Sequence, residues 1–165
     1  MKPIDTATMK VKFQEFIGSR KTLMISSQDE TGAPFISYAP FVKVEGNLYI
    51  YISKISDHFR YVEENERIHV MMIADESETP NAFARERARY ACSTENLGNE
   101  GNEEIFEQFN TKFSDKMMNM LRGLDFSLFK LTPLTGRFVV GFGQAYDVDI
   151  TGEKFEHIVV DKKDK

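Results

Sequence analysis

The chain has 165 residues, the size of one domain, and a chain of that length buries roughly 70% of its unfolded surface without help from disulfides or structural metals. Lys and Arg number 21 against 26 Asp and Glu, a net charge of −5, which disfavours a broad nucleic-acid-binding face. The lone Cys92 excludes an internal disulfide and a cysteine-rich zinc site, and no apolar run approaches the roughly 20 residues that cross a bilayer.

The N-terminus opens without an apolar signal core, so the expectation is a cytoplasmic protein. Met9, Phe13, Phe16 and Ile17 share one face of a helix within residues 1–18, capped at Asp5 or Thr6 and ended at Gly18. Strand signals follow at residues 22–27, 34–44 and 48–53. The turn-forming Glu45-Gly46-Asn47 joins the last two as a hairpin. Residues 57–65 read as a short helical connector, 68–74 as a buried strand, 80–85 as a second connector and 87–93 as another strand. Residues 96–104 are the best loop.

From 102 to 122, Ile105, Phe106, Phe109, Phe113, Met117 and Met120 or Leu121 line one face of a long amphipathic helix capped by Asn102, its methionines assigned to the core. Two last strands, 126–131 and 137–148, are separated by the turn-rich Thr132-Pro133-Leu134-Thr135-Gly136. The tail 161–165 is polar and expected to fray. About seven strands, mostly hairpin-linked, favour an antiparallel barrel over a doubly wound parallel sheet, in a single domain spanning 1–165 and of mostly β (α+β) class.

Nucleophile chemistry finds little support. Cys92 sits in an apolar strand without a neighbouring imidazole, the setting of a structural thiol. No nucleophile elbow, Walker loop or zinc-protease helix occurs, and Gly141-Phe142-Gly143 lacks the third glycine of a dinucleotide fingerprint, which leaves it a bulge or a close strand contact. Two clusters remain. In Tyr51-Ile52-Ser53-Lys54-Ile55-Ser56-Asp57-His58, a strand ends in hydroxyls where a short helix begins. Its free N–H groups, Ser53, Ser56, Lys54 and His58 suit a phosphate or carboxylate, and the alternative is an ordinary N-cap. Further on, Arg85, Arg87 and Arg89 are spaced so that the last two share a strand face. They suit bidentate carboxylate binding or, equally, ion pairing to Asp75-Glu76-Ser77-Glu78.

Several strings occur together in one order. They are Arg20-Lys21-Thr22-Leu23, Ser37-Tyr38-Ala39-Pro40-Phe41-Val42, Ile52-Ser53-x-Ile55-Ser56-x-His58, Met71-Met72-Ile73, Phe83-Ala84-Arg85-x-Arg87, Asp125-Phe126-x-Leu128-Phe129 and Gly141-Phe142-Gly143-Gln144-Ala145-Tyr146. From about residue 10 to 160 the chain resembles the haem-utilisation proteins within the pyridoxamine-phosphate-oxidase-like superfamily of flavin-binding split barrels.

The resemblance implies a six- to seven-stranded antiparallel split barrel with flanking helices, assembled as a homodimer with its cofactor at the interface. It implies haem binding and oxidative haem degradation for iron utilisation, with electrons from an external donor. Two alternatives accompany it: an FMN-dependent oxidoreductase and a non-catalytic tetrapyrrole carrier. On the flavin side it places the phosphate at Ser53, Lys54, Ser56 and His58, with Ser37 where relatives carry a phosphate-binding Arg and Asp57-His58 in place of an Arg-Lys pair. On the haem side it implies Arg85 and Arg87 at the propionates and Asp125 hydrogen-bonded to the axial ligand from the other subunit. The family's tail histidine falls at Lys162, which leaves His157 as the metal ligand.

Overall fold

A computed structural model describes residues 5–159; the tail 161–165, Lys162 included, lies outside them. The elements run α1 (Thr6–Ser19), β1 (Thr22–Gln28), β2 (Pro34–Val44), β3 (Asn47–Ser53), α2 (Asp57–Glu64), β4 (Arg67–Ile73), β5 (Arg87–Gly98), α3 (Glu103–Lys112), α4 (Asp115–Arg122), β6 (Phe126–Gly141), β7 (Gln144–Val148) and β8 (Phe155–His157). Single 3₁₀ turns at Glu76–Glu78 and Ala82–Ala84 punctuate the β4–β5 connection.

All pairings are antiparallel, in the order β3-β2-β1-β4-β5-β6-β7-β8. A further β3–β6 pairing closes the first six strands into a barrel. The expected antiparallel barrel is therefore present, with β7 and β8 as an extension of its wall.

Period-two alternation decides what each strand buries. Leu23 and Ile25, Ala39 and Phe41, Ile50 and Ile52, Ile68, Val70 and Met72, Ala88, Tyr90 and Cys92, and Phe129 and Leu131 fill the interior. Cys92 is fully buried there, and desolvation pushes its thiol up to about 12, so it is an inert core residue. The helix α1 adds Phe13, Phe16 and Ile17 to this core, the two phenylalanines packing on the Phe138 ring at 5.2 and 5.6 Å. Asp5 caps α1 by accepting from the Ala7 and Thr8 N–H groups. From α2, Phe59 packs edge-on against Phe129 at 5.2 Å beside Val62.

A second core forms outside the barrel. Val42, Tyr49, Tyr51 and Leu128 face outward from β2, β3 and β6 and are covered by Ile105, Phe106, Phe109 and Met118 of α3 and α4.

Four expectations need correction. The helix over 102–122 is two helices. Ser114 is fully extended (φ 176°, ψ 151°), and its hydroxyl accepts from the Met117 N–H at 3.0 Å, so Ser114-Asp115 starts a new helix. The break rotates the methionines: Met118 is buried, while Met117 and Met120 are exposed and do not belong to the core. Asn102 precedes α3 in a left-handed conformation and makes no side-chain cap. The stretch Thr132–Gly136 does not interrupt the strand either, because β6 runs through it paired to β5 with one register slip between Tyr90 and Cys92. Gly136 is what permits that, since a Cβ there would lie 2.1 Å from the Arg89 carbonyl oxygen. The real turn comes later. At Gly141-Phe142-Gly143 the chain bulges and reverses into β7, with Gly143 at φ +65°.

Candidate functional site

The barrel register sorts the candidate residues into two groups. Where β3 ends and β6 begins, Ser53 stands opposite Phe126, so the loop before α2 meets the residue preceding β6. Ser53 Oγ donates to Asp125 Oδ1 at 3.0 Å, and the Lys54 N–H donates to the Asp125 carbonyl at 3.0 Å. These two residues, 72 positions apart in sequence, form one unit. Ser56 caps the start of α2 by position only, because its hydroxyl donates to the Ser53 carbonyl at 2.6 Å and makes no cap bond. Lys54 and Asp57 are exposed. His58, half-buried, keeps Nδ1 enclosed without a partner, and burial lowers its pKa against a smaller opposing pull from Asp57. Ser37 shares the inward face of β2 with Ala39 and Phe41, and its buried Oγ also lacks a partner.

The other group lies at the opposite end of the strands. Arg85 donates from Nε to the Ala74 carbonyl at 2.6 Å and faces Glu76 at 3.6 Å, so the acidic stretch does engage it. Arg87 is committed only to the Arg85 carbonyl, at 2.8 Å. Among the described residues neither Arg87 nor Arg89 has a carboxylate within ion-pair distance. His157, on β8, pairs with Tyr146 and places its Nε2 2.9 Å from the Gly143 carbonyl. A carbonyl can only accept, so Nε2 carries the proton and Nδ1 is the free lone pair. Within one chain the structure thus joins Ser53, Lys54 and Asp125 and does not join them to Arg85, Arg87 or His157.

A surface assembled by strand register, which no single motif contains, connects the two ends. On the outer face of the barrel, Tyr38, Met24, Met71, Arg89 and Arg137 stand side by side on β2, β1, β4, β5 and β6. Ile36 and Tyr38 are 71% and 54% exposed there, and Arg137 is held by Asp147 at 3.2 Å. Among the described residues no helix lies over this row, in contrast to the face under α3 and α4. The signal in the sequence is a run of apolar residues at outward positions, Met24, Ile36, Tyr38, Met71 and Ile73, where a one-sided antiparallel strand carries polar ones.

The barrel with its Ser53–Asp125 corner is that of an oxidase-type split barrel: the chain belongs to the pyridoxamine 5'-phosphate oxidase family, whose match covers residues 9–140. Within that family it is 37% identical over 144 residues to the "Heme oxygenase HutZ" of Vibrio cholerae, covering 85% of this chain and 81% of that protein. The crystal structure of Campylobacter jejuni ChuZ superposes with a TM-score of 0.85 at 32% identity, covering 94% of this chain and 64% of that one. The structure of HutZ, described as a heme storage protein, gives 0.72 at 33% identity over 79% of this chain and 93% of that one. The resemblance to haem-utilisation proteins read from the motifs is borne out. Among the described residues no helix is long and apolar enough to cross a membrane.

Proposed function

We propose that this protein binds haem between the barrels of a homodimer and degrades it oxidatively, releasing iron with electrons from an external donor. The observation that carries the reading is the uncovered row of Tyr38, Met24 and Met71 leading into Arg89 and Arg137, flanked by Arg87. A flat apolar macrocycle edged by carboxylates needs that chemistry: an apolar, partly aromatic platform ending in guanidiniums. Similarity to a relative named for haem oxygenase activity points the same way.

Haem, when bound, supplies the iron at which oxygen is activated, and the chain's part is to hold and orient it. Arg87, with Arg85 behind it through its carbonyl, serves the propionates. His157 Nδ1 is the lone pair available for ligation, the ring being oriented by the Gly143 carbonyl. Asp125 sits 3.0 Å from the Ser53 hydroxyl and remains exposed, so its second oxygen is available to a group from the other subunit. It is a positioning residue.

The flavin reading fits the side chains less well. The hydroxyls of Ser53 and Ser56, which a phosphate would recruit, already donate to Asp125 and to the Ser53 carbonyl. Asp57 opposes a dianion at the same helix start.

The test is aerobic turnover of bound ferric haem with ascorbate, followed by loss of the Soret band. The native protein is expected to bleach the band and release chelatable iron. His157→Ala is expected to bind haem more weakly with a changed ferric spectrum, and Asp125→Asn to retain binding while losing turnover. Stable haem binding with no bleaching would make the protein a carrier. Unchanged affinity and spectrum in His157→Ala would remove that residue as ligand.

A further inference from the structure

On the helix-covered side of the barrel, away from the proposed haem surface, Lys112 ends α3 and leans back onto β2. Its Nζ donates to the Phe41 carbonyl at 2.9 Å and lies 4.1 Å from the centroid of the Phe41 ring. It lines a cavity of about 370 Å³ together with Lys43, Gln108, Thr111 and the Ile17-Gly18 end of α1. The charged groups facing it are Lys43 from β2 and Lys21 from the segment between α1 and β1, all of one sign. Among the described residues no carboxylate lines the cavity, and Lys112 has no ion-pair partner.

A lysine amine is ordinarily protected from reaction by its proton, held in water to a pKa of about 10.4. Here desolvation, and next the charge of Lys21, bring it down to about 8. Without a carboxylate to hold the ammonium, the amine spends a large part of its time neutral at mildly alkaline pH. Its nitrogen is kept in place by the Phe41 carbonyl, so its lone pair stays beside the cavity.

We propose that Lys112 is an acylation site, taking an acyl group from a small anionic acyl donor of the acyl-phosphate class that enters the cavity through attraction to Lys43. The neutral amine attacks the acyl carbon, a C–N bond forms, and the C–O bond to the phosphoryl group breaks. Inorganic phosphate leaves and takes up the proton that the nitrogen loses, so the step needs no oxidant or reductant. Thr111 and Gln108 offer the polar contacts beside the leaving phosphate. The product amide keeps one N–H for the Phe41 carbonyl but removes the positive charge from above the Phe41 ring, altering how α3 is held to the barrel.

Acetyl phosphate is the probe. The full chain is incubated with it between pH 7 and 10 and the modified lysines are quantified by peptide mass spectrometry over time. Lys112 is expected to be acetylated at least about tenfold faster at pH 8 than the exposed Lys116 and Lys154. Its rate should level off above pH 8. Lys112→Arg should abolish the fast phase and leave the slow ones unchanged. Lys43→Ala should slow Lys112 acetylation by acetyl phosphate more than by the uncharged donor N-acetylimidazole. Equal rates at Lys112 and Lys116, or a Lys112 rate that keeps rising to pH 10, would overturn the proposal.

Discussion

The barrel has two apolar outer faces, and the protein treats them oppositely. On one, Val42, Tyr49, Tyr51 and Leu128 lie beneath α3 and α4 and are closed to solvent. On the other, Ile36, Tyr38, Met24 and Met71 stand on neighbouring strands with no helix of the described residues over them. Both faces break the rule that the outside of an antiparallel strand is polar, so each needs a cover. The first finds it within the chain. The second ends at Arg89, which among the described residues has no carboxylate partner, and Arg137, which Asp147 holds, so its complement must be apolar over most of its area and acidic at one edge. Under the proposed function, haem and a second copy of the barrel together would provide such a cover.

The comparison breaks most visibly on the covered face. Phe106 is fully buried, packs edge-on against Tyr51 at 5.2 Å and lies under the Arg122 guanidinium at 4.0 Å. Phe106→Ala should destabilise the fold by about 3–5 kcal/mol, the cost of a large cavity in a packed core. Urea unfolding measures it, and haem affinity per folded molecule should stay unchanged. A loss below about 1 kcal/mol would mean that α3 is not a structural lid.

On the bare face the effect moves from stability to binding. Arg89→Ala should leave unfolding within about 0.5 kcal/mol of the native protein, as exposed substitutions do. It should weaken haem binding by about 1.5–3 kcal/mol through a lost charge-assisted bond, as measured by Soret titration. The loss should be smaller for a haem with esterified propionates, whose uncharged edge has less to offer a guanidinium.

The smallest effect belongs to His58, whose pKa is lowered by burial. Above its unfolded pKa of about 6.5 both folded and unfolded forms are neutral. As pH falls through that value the unfolded chain takes up a proton that the folded chain resists, so stability declines between there and the lowered folded pKa. His58→Gln should remove this part of the slope in urea titrations run from pH 7 to 5. An unchanged slope would show that the imidazole is solvated.

How legible these features were depends on the range of the interactions. The strand positions and the Glu45-Gly46-Asn47 hairpin rest on local signals and were readable, but β4, expected to be a buried strand, alternates and leaves His69 exposed. The continuity of β6 through Pro133 was not, because it depends on Gly136 meeting the Tyr90 ring from another strand. The break at Ser114 was missed because a continuous apolar face outweighed a local capping signal, although Ser114-Asp115 carries that signal in plain form. The Ser53–Asp125 bond joins residues 72 positions apart and appears only once β3 pairs with β6. Family resemblance had named both residues, though for different ligands. The arginine row was half legible: Arg87 and Arg89 by spacing, Arg137 only through strand register.

The most direct test of the bare face as the seat of function is light scattering combined with ferric haem titration on the native protein and on Tyr38→Glu. That substitution places a buried charge in any interface formed there and costs the isolated barrel little, since Tyr38 is 54% exposed. The account predicts a native dimer with saturable haem binding, and a folded Tyr38→Glu protein that is monomeric and has lost most of its haem affinity. A variant that stays dimeric and binds haem like the native protein would contradict it.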